Sequence, residues 1–516
     1  MTYPPQPGAP YPGQAGPPYQ QPFPVQQQPP YQPRPPYPQG PYPQQPQPFP
    51  PAFPVQQQPP YGMPPPAPRR KGGVGRTLAC LGVVLVLVLG LAVGGVVLLH
   101  VSRQRPPVQG LSSGLEGWEK VTKGLTDALA AKDEEAFLRP FAAGPTKEKQ
   151  RLVFRNLVKI PWETARWEAL LPLDGQLRVD FVHQVKGVDN FPIAEQYGWK
   201  VLAPDAGTEV VTEVGGVKDS QGKNSGFGYY PAPWDLYDEL AVQVRDHLVV
   251  MADKGQSAEL NRDVEILARA AKEDLAAWQK YGPPPSGERR GAGGFFVVLE
   301  RKRDVYNKLY KGDGKLNDSL EAGVNMPIWA ADSSKANPGD LLIGGSRIVM
   351  DTAGSRFTSD QWQDGVTDIG RHEMAHAIVA PLLATAGNFD GTGSPHDWVA
   401  EGFAEYMALR GKDSLARDEL AAYLKGVPFD GRLPGDDGSF YSASGDQRSA
   451  NYTLAGDALR FMASKYGDAK VCEFVAAQYA RPQEYEQQIT AATGQSLAQF
   501  QAAWAAHVRS AVPGKR

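Results

Sequence analysis

Apolar and polar positions change their rhythm along this chain, and the changes mark out its parts. Thr77–Leu99 is an uncharged run rich in Val, Leu and Gly, longer than the ~18 apolar residues that suffice to span a bilayer as a helix. Beyond it, helical periodicity runs through Leu115–Leu129 and Asp133–Phe137. Alternation in Leu177–Val182 and Thr208–Val214 predicts half-buried strands. A turn-rich string, Tyr229–Trp234, marks a boundary. After it, Leu248–Met251 and Phe295–Leu299 read as short buried strands, separated by a helix over Ala258–Tyr281 that stops before Gly282 and three prolines. Leu341–Ile343 and Ile348–Met350 add strand signals, and from Val366 the pattern is mostly helical. A small sheet followed by helices describes an α+β domain.

Composition alters this picture most at the N-terminus. Residues 1–68 hold no Asp or Glu and a single basic residue, Arg34, and the block Phe23–Tyr31 recurs unchanged at Phe53–Tyr61. Such a Pro/Gln/Tyr-rich stretch lacks the branched apolar residues that offset chain entropy, so a disordered arm is expected, either a plain spacer or a ligand for a cytoplasmic partner. The preceding length argues for a retained anchor over a cleaved signal peptide. Arg69, Arg70, Lys71 and Arg76 outnumber Arg103 and Arg105 across the apolar run, which places the arm in the cytoplasm and the later domains outside the cell. The expected organisation is an arm at 1–68, a transmembrane helix with basic flanks at 69–105, a small α+β domain at 106–232 and a larger domain at 233–516.

Charge and cysteine content add exclusions. A net charge of −3 over 516 residues gives no field that would gather nucleic acid. Cys80 and Cys472 are too few for a disulfide framework. His183, alone on a strand-like stretch, reads as structural, and His396 is left unassigned.

The chemistry gathers in the last third. His372, Glu373 and His376 form an H-E-x-x-H motif, and a helix puts its two imidazoles on one face with Glu373 beside them. Val366, Ile369, Ala377 and Ile378 support the helix, which Pro381 ends. Downstream, Asp397–Tyr406 reads as a second helix with Asp397 as cap, Gly411 as stop, and Glu401 and Glu405 one turn apart. Two histidines and a glutamate make a three-ligand set that leaves a fourth zinc position open. Trp398 and Phe403 read as core anchors.

These motifs resemble those of gluzincin-type zinc metallopeptidases, over roughly residues 235–516. The resemblance implies a zincin-like fold, Zn2+ held by His372, His376 and Glu401, Glu373 as general base, and Glu405 orienting a ligand histidine. It also implies an oxyanion donor, Tyr452 (followed by Gly456) or its rival Tyr441. No G-x-M-E-N string for holding a free N-terminus is present, and Ile348–Asp351 suits an edge strand that pairs with an extended peptide, so endopeptidase action on a peptide or protein substrate is preferred over aminopeptidase action. The string Ala128–Phe137 resembles the first helices of NTF2-like domains, which are small α+β cones. The alternative function is an inactive zincin-like domain that serves as an extracellular binding or scaffolding module.

Overall fold

The structure, a computed structural model, describes residues 112–512 apart from 173–174, 203–208, 219–229, 286–288, 310–321, 332–341, 384–393, 436–438, 442 and 444. The expected arm and anchor lie outside the described residues, among which no helix is long and apolar enough to cross a membrane.

Helix α1 (Ser112–Ala131) covers the predicted periodic stretch and buries Trp118, Leu125, Ala128 and Leu129 along one face. Asp133 then caps the short α2 (Glu134–Phe137), accepting a hydrogen bond from the Ala136 amide at 2.9 Å. Helix α3 (Pro145–Leu157) opens on a proline, whose missing N–H costs nothing at that position. The chain next forms an antiparallel meander of β1 (Trp162–Ala169), β2 (Leu177–Val185), β3 (Ile193–Leu202) and β4 (Val210–Gly216), paired in chain order.

The predicted boundary holds a short helix, α4 (Pro233–Leu236), and a second sheet follows. Its strands are β5 (Leu240–Arg245), β6 (Leu248–Asp253), β7 (Phe295–Glu300), β8 (Gly323–Trp329) and β9 (Ile343–Asp351), in the order β5-β6-β7-β9-β8. Helix α5 (Ser257–Tyr281) crosses from β6 to the parallel β7, and α6 (Arg303–Lys308) follows β7. The outer strands β5 and β8 run antiparallel to their neighbours.

The Leu341–Ile343 and Ile348–Met350 signals fall on one continuous strand, Ile343–Asp351 (Leu341 lies outside the described residues). One expectation is corrected here: Ile348–Asp351 is not an edge, since β9 sits between β7 and β8, and among the described residues β8 is the outer strand on that side. The reason lies in the side chains. β9 is buried on both faces as far as Met350, as an interior strand must be. β8 carries Pro327, which cannot donate to a ladder and is tolerated at an edge.

Alternate positions of the second sheet feed two cores. Leu248, Val250, Phe295, Val297, Leu299 and Ile348 join the core that holds the C-terminal helices. Val249, Met251, Phe296, Val298, Val324 and Val349 share a core with α1–α3 and the first sheet. The helical layer comprises α7 (Ser355–Thr358), α8 (Trp362–Val379), α9 (Asp397–Ala408), α10 (Asp413–Leu424), α11 (Gly445–Tyr466), α12 (Asp468–Ala480), α13 (Tyr485–Thr493) and α14 (Leu497–Ala511). Together these make a mixed α+β protein with two sheets.

Candidate metal centre

Helix α8 is buried nearly all round, packed between α5 and α9 and against β8 and β9. Such burial forces its polar residues to find partners. Arg371 donates from Nε to Asp274 Oδ1 of α5 at 2.8 Å, and Asp368 accepts from Lys412 Nζ at 2.7 Å. These pairs fix the helix about its axis and turn His372, Glu373 and His376 toward α9 and β8.

Helix α9 begins at Asp397 with His396 in the cap position, so the expected Asp397 cap is corrected by one residue. Gly411 adopts a φ of +79° in the turn beyond, a conformation that favours glycine. Trp398 and Phe403 are fully buried, as core anchors should be. Glycines set the spacing of α9 against α11. A Cβ on Gly402 would lie 2.7 Å from the Ala455 carbonyl oxygen, and one on Gly456 would lie 2.7 Å from Glu405 Cβ. This close crossing carries Tyr452 of α11 to the site, its ring 6.2 Å from that of His372.

Three donor atoms converge. His372 Nε2 and His376 Nε2 are 3.2 Å apart, and Glu401 Oε2 is 3.3 Å from each. Zinc bonds of about 2.0–2.1 Å at tetrahedral angles require donors about 3.3–3.4 Å apart, so this set fits one tetrahedrally held ion with a position to spare. Among the described residues it is the cluster of His, Cys, Asp and Glu able to hold a metal.

Two of the three donors are backed by a further group. Glu405 Oε1 lies 3.2 Å from His372 Nδ1, which leaves Nε2 of that ring for a metal. The Tyr441 hydroxyl donates to Glu401 Oε1 at 2.7 Å. Electrostatics follow this geometry. Burial opposes charge on His372, yet hydrogen bonds to Glu401 and Glu405 push it up to about 10. Burial likewise opposes charge on Glu401, and the two imidazoles outweigh it, holding the carboxyl well below its usual range. Glu405 is also held down, against burial, by its bond to His372 and by nearby Arg460 and Arg356.

Glu373 is 1% exposed, one residue along from His372 on α8. Its carboxylate rests on Gly323 of β8, where a Cβ would come within 2.8 Å of Glu373 Oε1. The sequence thus brings His372, Glu373, His376, Glu401, Glu405, Tyr441 and Tyr452 together. His183 and His396 stand apart from the cluster. His183 is fully buried among Trp162, Phe181 and Trp234, with Nε2 at 3.4 Å from Glu195 Oε1. His396 stacks on Tyr485 with ring centroids 3.9 Å apart. Sequence reasoning missed Gly323 and its strand, although the apolar alternation of Val324, Met326 and Ile328 was there to be read.

No protein-family model matches the chain, and no curated protein matches it at a significant level.

Proposed function

We propose that the chain is a membrane-anchored zinc metallopeptidase of the gluzincin type, with Thr77–Leu99 as anchor and the described residues outside the cell. The observation that carries this is the triangle of His372, His376 and Glu401 donors with Glu373 beside it. A zinc ion held there supplies Lewis acidity, acidifying water and polarising the scissile carbonyl. Glu373, pressed between α8 and Gly323, takes the proton of the attacking water and passes it to the amine nitrogen as the C–N bond breaks. Glu405 keeps the Nδ1 proton of His372 engaged, so that ring presents Nε2 as its lone-pair donor. Tyr452 supplies the hydrogen bond to the oxyanion.

The edge strand suits an extended substrate. Pro327 has no N–H, and in a sheet a proline's nitrogen faces away from its neighbour. The same parity turns the backbone groups of Gly323 and Asn325 outward, beside the general base. A peptide added there as a strand would lie against Glu373, which favours cleavage within a chain.

The test uses the full-length chain. One zinc per chain is expected in wild type and in Glu373→Ala, and none in His376→Ala. Peptide hydrolysis should fall by about 10²–10⁴ in Glu373→Ala and vanish in His376→Ala. Zinc bound without cleavage of any peptide would turn the reading toward a binding module, and absence of zinc in wild type would end it.

A further inference from the structure

We infer that Tyr441 is a positioning residue for the third metal ligand and not a donor to the reacting carbonyl. The inference rests on the metal reading of this site. Glu401 divides its oxygens: Oε2 faces both ligand imidazoles at 3.3 Å, while Oε1 accepts the Tyr441 hydroxyl at 2.7 Å. A phenol has one proton to donate, and here it is committed to the carboxylate. Tyr441 therefore leaves the oxyanion role to Tyr452.

The placement of Tyr441 is built into the chain before it. Phe440 is fully buried, its ring 5.1 Å from that of Tyr452, and its carbonyl accepts from Asn451 Nδ2 at 3.1 Å. Gln447 Nε2 in turn donates to Asn451 Oδ1 at 3.0 Å. On the other side Gly435, with φ +75°, comes so close that a Cβ there would meet Phe440 Cβ at 2.5 Å. The backbone at 440 is thus held from several sides, and Tyr441 has little freedom to leave Glu401.

The chemical consequence concerns coordination number. A carboxylate free to rotate can give both oxygens to one ion and close the position a catalytic site keeps open. With Oε1 tied to Tyr441, Glu401 offers one oxygen. Removing the hydroxyl would loosen the ligand and favour two-oxygen binding.

The experiment compares wild type, Tyr441→Phe and Tyr452→Phe as full-length chains. Zinc affinity is read by competition with a chelator, and coordination by the visible spectrum of the Co(II)-loaded protein. Tyr441→Phe should weaken zinc binding about 10–100-fold and lower the intensity of the Co(II) bands as coordination rises above four, while Tyr452→Phe leaves both unchanged. Equal zinc affinity and an unaltered Co(II) spectrum in Tyr441→Phe would overturn the assignment. A wild-type chain that binds neither metal would overturn it together with the metal reading, so the two failures are told apart by the wild type.

Discussion

At Gly323 a hydrogen atom stands where any other residue would put carbon, and the neighbour it spares is Glu373. A methyl group there would lie 2.8 Å from Glu373 Cγ and Oε1 and 3.1 Å from Cδ. The carboxylate is the movable partner, since the backbone of β8 is paired to β9 through Gly323 and Met350. Gly323→Ala should therefore displace the base and leave the fold in place. The metal donors lie on other residues, so zinc content should match wild type. A general base moved by about 1 Å costs on the order of 10² in rate, and the stability cost should be about 1 kcal/mol. Metal analysis, thermal unfolding and peptide hydrolysis on one preparation check this; a variant as active as wild type would show that Glu373 has room to spare.

The same economy of side-chain volume operates between elements. Helices α9 and α11 cross where Gly402 meets the backbone at Ala455 and Gly456 meets Glu405. Both contacts flank residues of the site, because Glu401 precedes Gly402 and Tyr452 lies one turn before Gly456. In Gly402→Ala the new methyl would meet the Ala455 carbonyl carbon and oxygen at 2.9 and 2.7 Å, and backbone cannot turn aside as a side chain can. The helices must part, at a cost of about 1–3 kcal/mol, carrying Glu401 away from the histidines. A lowered melting temperature together with weakened zinc binding is the expected pair of results; lost stability with full zinc affinity would show that the crossing does not set the ligand geometry. Elements like α8 and α9 were legible in sequence because their chemistry is local: motif residues one turn apart must share a face. Strands β1 and β3 were not. Their inward positions, Trp167 in β1 and Glu195, Tyr197 and Trp199 in β3, mix polar and aromatic residues, and β1 also breaks register between Trp162 and Thr164. The edge position was misassigned because strand order depends on partners far away in sequence. Tyr441 was visible as a candidate, yet its partner Glu401 is forty residues upstream, and only the folded chain brings them together.

At the scale of the whole molecule, the two sheets are joined by buried polar contacts as well as by a shared core. Arg347 of β9 donates to both carboxylate oxygens of Asp189, beyond β2, at 2.6 and 3.1 Å, with both side chains fully buried. Gly345 makes room for that carboxylate, since a Cβ there would meet Asp189 Oδ1 at 2.1 Å. A second joint lies at α4. Asp235 accepts from the Ala232 amide and from the hydroxyl of Tyr197, on β3, each at 3.0 Å, and Trp234 Nε1 donates to the same hydroxyl at 3.1 Å. Burial pushes the Asp235 carboxyl up from 3.8 to about 7, against the opposing effect of its hydrogen bonds. Its sign determines how stability responds to pH. Between those two values the folded chain keeps a proton that the unfolded chain has released, so stability falls as pH rises. The contribution is complete below 3.8 and lost as pH passes about 7. Asn at this position offers the same accepting oxygen to Ala232 and Tyr197 and carries no charge at any pH. Asp235→Asn should therefore match wild type near pH 4 and exceed it at pH 8, by on the order of 2–4 kcal/mol. Thermal unfolding of both proteins across that range, in excess chelator so that metal loading does not vary, measures the difference directly. A variant less stable by the same amount at every pH would mean that Asp235 is ionised in the fold, and that charge, not a shared proton, holds α4 to the first sheet.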